Sequence, residues 1–157
     1  MSKQHIKESV KVSGKLKITV RDIATGEVKR VYEYNNLNPL VMKSMIMNNL
    51  IEDVPTNSMS INYVALGTGT NAPAAGNTQL QTETYRNIIA SKTQDNNVGY
   101  ITGFFSDLEV SGTFREIGLF SNATASANSG VLVSRVAINV AKSTSESLTV
   151  DWTLTIS

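Results

Sequence analysis

The 157-residue chain contains no cysteine. That absence excludes disulfide frameworks, thiolate metal sites and cysteine nucleophiles. Histidine occurs once, as His5 in the polar stretch MSKQHIKESVKV. One histidine cannot build a multi-histidine metal site, and no histidine-based triad is expected from it. Aromatic residues are only 6% of the chain, and none interleaves with basic residues in the manner that holds single-stranded nucleic acid. Neither sign of charge dominates: the formal net charge is +1, so the overall balance points to no polyanionic partner. No apolar run approaches the ~20 residues that span a bilayer, so no membrane insertion is expected. The opening stretch has no apolar h-region, so no secretory signal is expected either.

The charge that is present is unevenly placed. Residues 1–30 hold eight basic residues against three acidic ones, a surplus of five that leaves the remainder four negative. Lys3, Lys7 and Lys11 fall in a stretch with Ile6, Val10 and Val12 but no continuous helical or strand period. Residues 1–14 are therefore read as a basic N-terminal arm that docks on an acidic neighbour or serves as a solvated tail. Residues 15–157 are read as a single domain, with 41% hydrophobic content to fill one core.

From Leu16 onward the pattern is mostly of period two. Leu16, Ile18 and Val20 alternate with Lys15, Lys17 and Thr19, Gly26 permits a turn, and Val28, Arg30, Tyr32 and Tyr34 share one face of a second strand. The period then changes. NNLNPLVMKSMIMNNLIED predicts a helix near residues 39–51, capped by Asn38 with Pro39 in its first turn. Met42, Ile46 and Leu50 form its expected buried side, widened by Leu40, Met47 and Ile51. Further strands are expected at residues 61–65, 88–92, 99–110, 114–120, 131–140 and 148–156. In the last, Leu148, Val150, Trp152, Leu154 and Ile156 face one way and Thr149, Asp151, Thr153 and Thr155 the other. One helix and about seven or eight half-buried strands predict a mainly β fold, an antiparallel, jelly-roll-like β-sandwich.

Few segments suggest chemistry. Gly67-Thr68-Gly69-Thr70-Asn71-Ala72 follows a strand and fits the loose dinucleotide pattern. Pro73 arrives where the phosphate-binding helix would begin, and no Gly-Lys-Ser/Thr closes the loop as in a P-loop, so a tight, exposed turn is expected instead. Asp107 and Glu109 would share a strand face as a pair of carboxylates, the arrangement of glycoside hydrolysis, but no aromatic alternates with them. Glu83 with Arg86, and Arg115 with Glu116, read as ion pairs or strand-end hydrogen bonders. Asn122-Ala123-Thr124 fits a glycosylation acceptor without a secretory context. No catalytic residue, cofactor or metal is assigned, and the chain is not expected to be an enzyme.

Six segments occur in order: TGEV from Thr25, YVALGTGTNAP from Tyr63, LQTETYR from Leu80, FREIGLFSN from Phe114, VLVSRVAI from Val131 and LTVDWTLTI from Leu148. This succession resembles a widespread group of small structural proteins of tailed bacteriophages, described as tail, fibre or accessory virion proteins. The resemblance runs from about Leu16 to Ser157. It implies a non-enzymatic virion component, assembled in the host cytoplasm, associated with the tail, baseplate or fibre or else decorating the capsid exterior. It implies partners among other virion proteins, with host surface contact left open and no nucleic acid. Unpaired edge strands add the expectation of a homo-oligomer, a trimer or a ring. Lys3, Lys7, Lys11, Arg86, Arg115 and Glu116 are the candidate assembly contacts. A glycan-binding module or hydrolase is the alternative from another class.

Overall fold

The computed structural model describes residues 9–52 and 56–157. His5, Lys3 and Lys7 lie outside the described residues. The chain forms nine strands and one helix: β1 (Val12–Asp22), β2 (Val28–Asn35), α1 (Leu40–Ile51), β3 (Ile61–Gly67), β4 (Glu83–Ile88), β5 (Ser91–Asp95), β6 (Val98–Phe105), β7 (Gly112–Ser121), β8 (Val131–Lys142) and β9 (Glu146–Ile156). One sheet has the order β2-β1-β9-β6-β5 and the other β4-β3-β7-β8, with every neighbouring pair antiparallel. The predicted β-sandwich is correct. Four hairpins are laid down alternately in the two sheets, and β9 then enters the first sheet between β1 and β6.

The alternation seen in the sequence creates the core. Leu16, Ile18 and Val20 of β1, Leu148, Val150 and Trp152 of β9, and Ile101 and Phe105 of β6 face Val64, Leu66, Ile117, Leu119, Val136, Ile138 and Val140 of the second sheet. Trp152 is 1% exposed, which confirms the orientation read for β9, although Ile156 at its end is exposed. Gly26 takes φ 71° in the first hairpin turn, a conformation that costs glycine little.

Several expectations need correction. The single strand expected at residues 88–92 is two, β4 and β5. Ile89 N still donates to Asn62 O in one sheet, and Ala90 N already donates to Thr102 O in the other. The chain crosses between sheets here, and the second strand, β5, is exposed throughout, which is why nine strands form rather than seven or eight. The strand expected through Val110 stops at Phe105, and a turn follows. The boundary of the arm also moves. Val12, Ser13 and Gly14 pair with Ile156, Thr155 and Leu154, and Lys11 and Ser157 exchange both backbone hydrogen bonds, at 2.6 and 2.8 Å.

The helix is where predicted, but its cap is not, and of the expected buried side Met42 is buried and Ile46 half-buried while Leu50 is exposed. Pro39 is the N-cap and supplies no side-chain hydrogen bond. Asn38 instead donates to Val12 O at 2.8 Å and accepts from Asn36 Nδ2 at 2.8 Å, tying the β2–α1 connection to β1. Leu40 N, an orphan donor of the first turn, is satisfied by Ala75 O at 2.8 Å. Met42 and Met45 are buried toward β8, with Val41 and Ile46 half-buried beside them. Leu40, Met47, Leu50 and Ile51 point outward and are exposed. At 100° per residue the two sets fall on opposite sides, so α1 is apolar on both.

Candidate functional site: the outer face of the four-stranded sheet

The second sheet is covered on both faces. Its outer face carries Ala65, Phe120 and Leu132, closed over by Leu80 from the long β3–β4 connection. Glu116 of β7 and Arg135 of β8 lie on this face and are 1% and 2% exposed. Arg135 donates to Glu116 Oε2 from Nε at 3.1 Å and from Nη2 at 2.8 Å. Its remaining donors reach Asn77 Oδ1 at 2.7 Å and Asn71 O at 3.1 Å.

The rest of the Glu116 carboxylate is held by backbone. Thr82 N and Gly69 N donate to Oε1 at 2.7 and 3.2 Å, and Gln81 N donates to Oε2 at 2.9 Å. The GTGT segment is therefore an anion cradle, and the anion is the chain's own. A Cβ at Gly67 would stand 2.5 Å from Thr82 O and 2.7 Å from Glu116 Oε1, and one at Gly69 would meet Glu116 Oε1. Neither glycine takes a positive φ among the described residues. The tight, exposed turn expected there is thus corrected: both glycines are buried, and they permit close approach of the carboxylate.

A second ion pair works the same way on the neighbouring loop. Arg86 donates to both oxygens of Glu83, with Nη2 to Oε2 at 2.8 Å, and both side chains are almost wholly buried. Arg86 Nη1 also donates to Thr124 O and Ser129 Oγ, each at 2.9 Å, and Glu83 Oε2 accepts from Asn128 N at 3.0 Å. The guanidinium lies 4.9 Å from the Phe120 ring centroid and 5.5 Å from that of Tyr63. The loop of residues 122–130, including the Asn-Ala-Thr triplet, is thereby strapped to the sheet.

Four of the six ordered segments converge on this face through Gly67 and Gly69, Glu83 and Arg86, Glu116, and Arg135. The Glu83–Arg86 pair expected from the sequence is present. The Arg115–Glu116 pair is not: as strand neighbours they point to opposite faces, Arg115 outward and Glu116 inward to Arg135. Glu116 and Arg86 are occupied within the chain, so among the described candidates only Lys11 and Arg115 are exposed. Arg135 was missed. Its signal was a charge in the middle of the apolar run VLVSRVAI, where a partner is obligatory.

The carboxylates weighed for hydrolysis do not share a strand face. Glu109 lies in the turn after β6 and accepts from Ser106 N at 2.7 Å and Asn87 Nδ2 at 2.9 Å. Buried Lys142 donates from Nζ to Val110 O at 2.6 Å. Burial pulls its pKa below the ordinary lysine value, while Asp107, Glu109 and Glu146 pull it back. Glu146 accepts from Ser143 N at 2.8 Å and from Arg30 Nη2 at 2.9 Å, and these hydrogen bonds hold its carboxyl below the usual range. Among the described residues no group of three or more His, Asp or Glu side chains is placed to hold a metal ion, and no helix is long and apolar enough to cross a membrane. Comparison with protein-family models, curated proteins and solved structures finds no match to this chain.

Proposed function

We propose that the chain is a non-enzymatic structural subunit of a tailed-phage virion, a tail, baseplate or fibre-associated component that associates with itself. The order of the sequence motifs supports the virion. The observation that carries the subunit is α1: a helix apolar on both sides at a molecular surface has one face to bury against something else. The buried charges that invited a chemical reading are used internally to fasten loops. Mass spectrometry and immunogold labelling of purified particles test this reading. Stoichiometric incorporation is expected, with the label at the tail rather than the capsid exterior. Absence from particles overturns it, and label over the capsid shell transfers it to a decoration role.

A second reading, a glycan-binding module, is favoured by one feature. Tyr100 and Phe104 of β6 are exposed on the outer face of the five-stranded sheet. That face also holds a shallow groove of about 480 Å³ lined by Lys15, Lys17, Glu33, Asn35, Asp151 and Thr153. A glycan array separates the readings: binding that Tyr100→Ala abolishes would support this one.

A further inference from the structure

We infer that the outward face of α1 is a two-fold contact between copies of this chain, with two helices packed antiparallel about Met47. The inference rests on the structural-subunit reading and specifies its partner.

Leu40, Met47, Leu50 and Ile51 are 55%, 56%, 73% and 69% exposed. They recur at intervals of three, four and seven and form one stripe, while Met42 and Met45 occupy the opposite side. A soluble monomer rarely leaves so continuous an apolar stripe open to water. The charges choose the occupant and its direction. Lys43 is the only charged residue within α1, and it sits inside the stripe. The last turn of the helix has no basic residue of its own, although its carbonyls carry the negative end of the dipole, and exposed Glu52 follows them. Pairing antiparallel about Met47 sets Lys43 of each copy against the last turn of the other. Pairing in parallel sets Lys43 against Lys43. A two-fold axis repeats the favourable contact twice, and the patch is complementary to itself, as an isologous interface requires. The contact makes a dimer, where the edge strands alone predicted a trimer or a ring.

The absence of cysteine makes the test clean. Met47→Cys places single thiols across the axis, and mild oxidation of the full chain should link them into a covalent dimer. Leu40→Cys, at the far end of an antiparallel pair, should not cross-link. Sedimentation across a concentration series should show a dimer that Leu50→Glu dissociates. Lys43→Glu should weaken it at least about tenfold, and Lys43→Arg should leave it intact. Circular dichroism melts check that each exposed substitution leaves the fold intact. A full-length chain that is monomeric at all concentrations overturns the inference, as does equal cross-linking of Leu40→Cys and Met47→Cys. A monomer found in purified particles removes the pairing and leaves the subunit reading, and a dimer absent from particles does the reverse.

Discussion

Glu116 shows how a carboxylate can be buried without becoming reactive. It accepts three backbone N–H groups and two guanidinium donors, so both oxygens are compensated. Removing its charge leaves Arg135 buried and unpaired. Glu116→Gln should therefore cost about 3–5 kcal/mol in urea unfolding, and protease cutting within residues 70–80 should speed up as the strap loosens. Glu146 offers a prediction in pH. Its folded pKa is lowered, so its contribution is full above the unfolded value near 4.3 and is lost as pH falls through the lower folded value. Thermal melts below about pH 4.3 should fall less steeply in Glu146→Gln than in the natural chain. The buried pair illustrates what a sequence hides. Arg135 interrupts the apolar run VLVSRVAI, which signals that a partner exists, but the register that pairs β7 with β8 decides that it is Glu116.

Strands such as β1, β6 and β9 were legible because each buries one face, and that requirement writes period two into the sequence. Trp152 tests the reading directly: Trp152→Ala should cost about 3–5 kcal/mol, and a calorimetric melt should fall by roughly 6–20 °C for a domain of this size. Two elements defeated periodicity. The β4–β5 crossing leads into a strand exposed on both faces, so no hydrophobic period marks it and only the partners of Ile89 and Ala90 reveal it. The helix is apolar on two opposite sides, so no single stripe stands out, and Met45, outside the side expected to be buried, is buried along with Met42. Asn38 failed as a cap for a related reason. Its amide had a second use, the Val12 carbonyl, that only the folded chain brings within reach.

At the scale of the molecule, the pairing of β1 with β9 closes the five-stranded sheet from Val12↔Ile156 to Asp22↔Glu146. A deletion through Gly14 removes three of these pairs and the acceptor for Asn38, whereas a deletion ending at residue 8 removes none of them. Hydrogen exchange at Ser157, whose amide donates to Lys11 O, should speed up in the first deletion and stay unchanged in the second, while Ile156, whose amide donates to Asn97 O, serves as the internal reference. The same pairing governs the order in which the fold can be completed. β9 is synthesised after the other eight strands, yet it occupies the middle of its sheet. Until it leaves the ribosome, the β1–β2 and β5–β6 hairpins have no strand to join them, and the core lacks Leu148, Val150 and Trp152. The domain thus stays unfinished until β9 has emerged. A pause or truncation before Glu146 does not trim the subunit but leaves two separate hairpins with sticky inner edges.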